Sequence, residues 1–238
     1  MTRGEVPGRA GIVARWPLGL AVVSWRYMWR TTPLHRSEEA GSAADLPAGW
    51  ERPAGDSSGD GQQVLAAGCG PLLHRTYSVR IAGAGLSPAE LISRVGTSLN
   101  WASPEMAVFR KTRGARGGLR AGDELVVRMP GPWDGPVRVA SRDETSFRLV
   151  TLNGHLEAGQ IEFRAGPDGD VLRFEIESWA RAGDRLADVL YNRLRLAKEI
   201  QLNMWTHFCL RAADLAGGRP QGGVTIRTRW LPWPPPLS

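Results

Sequence analysis

From Thr76 to Trp179 the chain alternates short apolar stretches with turn signals, and this pattern predicts most of the fold. Thr76–Ala82 reads as a strand. Ser87-Pro88-Ala89-Glu90 then predicts a helix start, with Ser as N-cap, Pro at the first helical position and Glu closing a capping box. That helix carries Leu91, Ile92 and Val95 inward and runs to about Asn100-Trp101. Six further stretches, Met106–Lys111, Glu124–Met129, Val137–Ser141, Ser146–Leu152, Gln160–Ala165 and Val171–Trp179, are short and β-branched or aromatic. Turn signals such as Arg113-Gly114, Asp134-Gly135-Pro136, Asn153-Gly154 and Pro167-Asp168-Gly169 separate them. So little chain between strands leaves no room for crossover helices, which predicts an antiparallel meander. A long helix over Asp184–Leu215 follows. Leu186, Leu190, Ala197, Ile200, Met204, Phe208 and Leu215 form one apolar stripe, with Arg195, Glu199 and Thr206 opposite and Gly217-Gly218 as the stop. The expected class is α+β, a curved antiparallel sheet of six to seven strands wrapped around the C-terminal helix.

The flanks read differently. Residues 10–29 are apolar but broken by Arg15 and Arg26, and the uncharged run Trp16–Trp25 is about half the ~20 residues a helical membrane span needs. Trp16, Trp25, Tyr27 and Trp29 beside arginines fit a membrane-interface segment, while an accessory helix packed on the domain fits equally. Residues 37–63 are rich in Gly, Ser, Ala, Pro and acids and read as a linker. Trp230–Pro236 reads as extended and solvent-facing. The expected organisation is a basic, Trp-rich segment over 1–36, an acidic linker over 37–73, a domain over 74–216 and a Pro/Trp-rich tail over 217–238.

Composition changes this picture in two respects. The formal charge of +6 is segmental, with six arginines against one acid in residues 1–36 and one arginine against six acids in 37–63. It is therefore no footprint of specific nucleic-acid binding. Cys69 and Cys209 stand alone, without a CxxC or a disulfide framework, which fits buried thiols in a reducing, cytoplasmic setting, with residues 10–30 as the peripheral contact to the inner membrane face.

Motifs for common chemistry are absent. Gly83-Ala84-Gly85 has Pro88 where a dinucleotide fingerprint needs its third glycine, and there is no phosphate-cradling Gly-Lys-Ser/Thr loop and no Gly-x-Ser-x-Gly elbow. His155-Leu156-Glu157 has deaminase-like spacing but lacks the paired thiolates, and no cofactor or metal is expected. The distinctive run is Thr151 to Phe163. If the backbone is extended there, His155 and Glu157 share one face with Ile161 and Phe163 and could fix a ligand's polar end. Alternatively both sit on a solvated turn that Glu157 stiffens. Trp133, on the 131–136 hairpin tip, is a candidate gate or a loop-packing residue. Arg193 and His207 flank the helical stripe and either reach a ligand or snorkel at its edge. Phe163 and Met204 complete the expected ligand-lining set. Glu175 and Glu177 alternate with Phe174 and Ile176 and are expected to form the solvent face of their strand.

Gly122-Asp123-Glu124, Pro130-Gly131-Pro132, Thr151-Leu152 with Gly154-His155-x-Glu157-x-Gly159 and Phe163, and the long helix together resemble the DUF1990 family over residues 74–216. Upstream, Leu46-Pro47-Ala48-Gly49-Trp50 answers the family's Leu-Pro-x-Gly-aromatic step. That family is similar in element order to helix-grip proteins of the START/Bet v 1-like and polyketide-cyclase kinds, and it brings no established activity. The resemblance implies a cavity for a hydrophobic small molecule or lipid. Two other readings stay open: a cyclase- or hydrolase-like enzyme using His155 and Glu157 as an acid–base pair, and an interaction protein without a cavity.

Overall fold

The structure, a computed structural model, describes residues 33–47, 61–104, 107–128, 134–183 and 196–234. In chain order the elements are β1 (Leu34–Ala40), β2 (Cys69–Ala82), α1 (Pro88–Thr97), α2 (Leu99–Ala102), β3 (Val108–Arg113), β4 (Glu124–Arg128), β5 (Asp134–Arg142), β6 (Ser146–Thr151), β7 (Glu157–Asp168), β8 (Val171–Ala182), α3 (Leu196–Leu215) and β9 (Arg219–Leu231). The strands form one unclosed sheet in the order β1-β9-β2-β8-β7-β6-β5-β4-β3. Every pairing is antiparallel except β1 on β9. This is a helix-grip arrangement, with α3 lying across one face of the curved sheet.

Local signals account for the predicted elements. The Ser87 hydroxyl accepts from the Glu90 N–H at 3.3 Å, and the Glu90 carboxylate accepts from the Ser87 N–H at 2.8 Å, closing the capping box of α1. Leu91, Ile92 and Val95 are fully buried, as their helical spacing predicts. Asn100 fastens α2 to β3 by gripping both backbone groups of Phe109, at 2.8 and 2.6 Å.

Cross-strand register builds the core. Tyr77, Ile176, Phe163 and Phe147 stand opposite one another on β2, β8, β7 and β6, so one rung of large side chains crosses four strands. Phe163 stacks on Phe147 at 4.6 Å and meets Phe208 of α3 at 5.4 Å. Met204, Phe208, Cys209, Ala212 and Ala213 of α3 are buried with them.

Several expectations change. Residues 219–231, read as a tail, form β9 between β1 and β2, because Val224, Ile226 and Leu231 are buried at alternate or nearby positions. Residues 34–40 are an edge strand; of the stretch read as linker, 43–45 form a 3-10 turn with Asp45 buried and 69–73 belong to β2. Thr206, placed on the solvent side of the helix, is fully buried, since α1 and α2 cover α3 on a side the sheet does not reach. Cys69 is partly exposed, whereas Cys209 is buried. Of the predicted helix, residues 184–195 lie outside the described residues, as do the 10–29 segment, the Gly131–Trp133 part of the hairpin tip and Trp50.

The face turned away from α3 carries ionic rungs. Glu175 and Glu177 lie on this face, as their alternation with Phe174 and Ile176 predicts, but Glu175 is buried and Glu177 half-buried rather than solvated, because arginines pair across them. Arg164 bonds both, at 2.6 Å to Glu177, and Arg173 holds Glu175 at 2.9 Å. His74 lies between Glu177 at 2.7 Å and Asp45 at 3.2 Å, stacked on Trp179. Asp45 also accepts from Arg229 at 2.7 Å, and its carbonyl accepts from the Trp179 indole N–H at 2.8 Å.

Candidate functional site

Alternation along β2 sends Arg75 and Tyr77 to the same face as Val79 and Ile81, toward α3, and Glu157 faces the same interior from β7. Arg75 Nη1 donates to Gln201 Oε1 at 2.9 Å, and Gln201 Nε2 donates to Glu157 Oε2 at 2.7 Å. A guanidinium, an amide and a carboxylate thus link β2, α3 and β7 inside the molecule. Arg75 and Glu157 are both buried. Two polar atoms beside this chain, Glu157 Oε1 and the Tyr77 hydroxyl, are buried and make no well-formed hydrogen bond, although the Arg75 guanidinium lies near enough to act on the phenol. Burial pushes the Tyr77 phenol up, so it stays a neutral O–H donor. Burial likewise pushes the Cys209 thiol up, which keeps it protonated and unreactive.

The turn that delivers Glu157 is built from short-range contacts. Gly154 takes φ +91°, a left-handed conformation that suits glycine. His155 Nδ1 then lies 2.9 Å from the Glu157 N and 3.1 Å from the Glu157 carbonyl oxygen, so the ring bonds the Glu157 backbone. Burial holds the imidazole below its ordinary pKa against the pull of the Glu157 charge, so the ring is neutral. The Thr151 hydroxyl accepts from the Gly159 N–H at 2.9 Å. Gly159 has φ +155°, and a Cβ there would lie 2.0 Å from the Trp179 carbonyl oxygen of β8, so only glycine allows the strands this close. Each fixed residue of Gly154-His155-x-Glu157-x-Gly159 therefore shapes the turn or points into the interior.

The family model described as a domain of unknown function, DUF1990, matches residues 61–212, more than half of the chain. The chain belongs to that family. No curated protein matches it in sequence. Among solved structures it is similar to a START superfamily protein from Mycobacterium smegmatis, at 14% identity and TM-score 0.45, covering 61% of this chain and 99% of that one. It is similar too to ginseng major latex-like protein 151 from Panax ginseng, at 12% identity and TM-score 0.39, covering 57% and 99%. A hypothetical protein from Helicobacter pylori gives 10% identity and TM-score 0.44, covering 59% and 87%. These are likenesses of layout, and no property of those proteins passes to the DUF1990 chain through them.

Within the DUF1990 domain the expected site residues separate into three groups. Glu157, Ile161 and Phe163 share the inner face, as the extended-strand reading requires, and Met204 reaches the same interior from α3. His155 is half-buried before β7, and its ring meets the Glu157 backbone rather than the carboxylate. His207 is half-buried on α3. Trp133 and Arg193 lie outside the described residues. Arg75, Tyr77 and Gln201 were not among the candidates. Starting β2 at Thr76 leaves Arg75 out of the strand, although it is two residues before Tyr77 and so on its face. Among the described residues, no cluster of three His, Cys, Asp or Glu side chains is arranged to hold a metal ion, and no helix is long and apolar enough to cross a membrane.

Proposed function

We propose that the DUF1990 domain is a binding module for an apolar small molecule or lipid bearing a hydroxyl-type polar end, held between the sheet and α3. The observation that carries this reading is the pair of polar atoms without a well-formed hydrogen bond, Tyr77 Oη and Glu157 Oε1, in an otherwise apolar interior. A buried group left unsatisfied costs about 1–3 kcal/mol, so such atoms are seldom left bare without a reason. One is a donor and the other an acceptor, which together suit a ligand hydroxyl. Phe163 and Met204 belong to the apolar cluster that would meet the ligand's body. The Arg75–Gln201–Glu157 chain holds the carboxylate still for that contact. Binding is favoured over acid–base catalysis because the His155 ring serves the turn and bonds the Glu157 backbone rather than its carboxylate.

Tyr77→Phe tests the proposal. The full-length protein and the variant are exposed to a cell extract, re-purified, and their retained molecules identified by mass spectrometry. The expected result is a hydroxyl-bearing amphiphile retained by the parent and largely lost from Tyr77→Phe, while the ligand-free variant is as stable as the parent or more so. Glu157→Gln should weaken retention by about 1–2 kcal/mol. If neither protein retains an amphiphile, or both retain it equally, the reading fails.

A further inference from the structure

A second site is suggested on the opposite face of the sheet, where no ligand role has been assigned. Along β2 and β9 the register runs Val79↔Val224 and then Arg80↔Gln221, so Gly222 and Gly223 are extra residues in β9. Both take left-handed φ, +76° and +86°. A Cβ on Gly223 would lie 1.9 Å from the Pro33 carbonyl oxygen, so the bulge is pressed against the chain entering β1. His35 Nε2 bonds the Gly222 carbonyl at 2.9 Å and fixes that wall. The result is a depression of about 320 Å³ on a face that sheet curvature would otherwise leave convex.

Its lining is cationic and rich in hydroxyls. Arg80, Arg173 and Arg227 stand around Thr76, Ser78 and Thr225, with Asp168 the one carboxylate in the lining. Arg80 gives its Nε to Asp168 at 3.0 Å, and Arg173 gives one terminal nitrogen to Glu175 in the neighbouring row at 2.9 Å. A guanidinium has five N–H donors, so each retains several for another acceptor. Arg227 is exposed, and its side chain makes no hydrogen bond or ion pair among the described residues. Three guanidiniums around hydroxyl donors in a concavity concentrate positive potential and match a tetrahedral oxyanion.

We propose that this depression binds a phosphoryl group, with Arg227 and Arg173 as the principal cations and the Ser78 and Thr225 hydroxyls as neutral donors. The phosphoryl group belongs either to a lipid headgroup or to a soluble phosphate. The site is independent of the interior one, and the two can stand or fall separately.

The test follows amide resonances of the full-length protein during titration with inorganic phosphate at constant ionic strength. In parallel, the protein is sedimented with phosphatidylcholine vesicles containing or lacking phosphatidic acid. Saturable shifts at Ser78, Gly222 and Thr225 are expected, weakened roughly tenfold in Arg227→Ala and in Arg173→Gln, and unchanged in Arg116→Ala on a remote exposed loop. Arg227-dependent pelleting with phosphatidic acid assigns the group to a headgroup. Arg227-dependent phosphate binding without such pelleting assigns it to a soluble phosphate. Absence of Arg227 dependence in both arms overturns the proposal, as does equal weakening by Arg116→Ala, which would make the effect one of net charge.

Discussion

The face of the sheet turned toward α3 and the face turned away take their side chains alternately from the same strands, yet they bury charge by different means. Toward α3 the rungs are aromatic and aliphatic, and the few polar groups form a single chain, Arg75–Gln201–Glu157, that leaves two atoms without a well-formed hydrogen bond. On the far face the acids outnumber their outlets only until the arginines are counted. Glu175, Glu177 and Asp45 are each bonded by at least two cationic or N–H groups. The inner face gains stability from apolar area and shape, and the outer face from pairing. The outer face also has unpartnered atoms, Arg128 Nε and Arg148 Nε, but each belongs to a guanidinium with further donors; Glu157 Oε1 and the Tyr77 hydroxyl instead border the apolar cluster, which is why the interior is read as the ligand side.

The comparison can be broken first on the inner face. Met204→Asp should cost about 3–5 kcal/mol, because the new carboxylate would be buried without a partner. Chemical denaturation measures this, and a loss near that of a surface change would mean that α3 does not seal the interior.

A smaller effect is expected on the outer face, from Asp45→Asn. Burial pushes the Asp45 carboxyl up, but the Ser42 N–H and Arg229 outweigh it and hold it below the ordinary carboxylate range. Glu177 is held low in the same manner, with His74 and Arg164 overcoming its burial. A depressed carboxylate stabilises the fold above its unfolded value near ~4, and this stability is lost as pH falls through the lower folded value. The variant should therefore be less stable by about 1–2 kcal/mol at neutral pH, with the gap to the parent narrowing below pH ~4. Denaturation midpoints collected from neutral pH into acid would show it. A gap that persists unchanged in acid would mean the Asp45 charge contributes nothing.

The smallest change is expected at the rim, where Glu39 pairs with Arg229 at 2.8 Å across half-exposed side chains. Glu39→Ala should cost less than about 1 kcal/mol and the difference should shrink in high salt. A larger, salt-insensitive loss would show that the edge strand, not the pair, had been disturbed.

Much of the fold was legible because its signals are local. The capping box at Ser87–Glu90 and the alternation of β4 to β8 each depend on residues within a few positions of one another. The two strands that escaped notice lie at or near the sheet's edge. Leu34-His35-Arg36-Ser37-Glu38-Glu39-Ala40 is polar on both faces, and Gly222-Gly223 interrupts the alternation of β9, so neither carries a period-two stripe. In the site, Glu157 could be read because Ile161 and Phe163 continue its face. The Arg75–Gln201 contact joins residues 126 positions apart, and nothing in either neighbourhood announces it. His155 and Glu157 are two residues apart, a spacing that equally suits a side-chain pair or a ring capping a backbone N–H. Only the φ of the turn decides between them.

The pairing of β2 with β9 has a consequence for the order in which the chain is made. β2 lies between β8 and β9, so one of its edges stays open during synthesis until residues up to 231 have emerged. The family match ends at residue 212, before that strand begins. A nascent chain therefore holds the whole matched segment, with its aromatic core and grip helix, while still exposing an unpaired strand edge to any neighbour. Only the emergence of β9 closes this edge, through contacts between segments far apart in the sequence, a slow kind of contact to form.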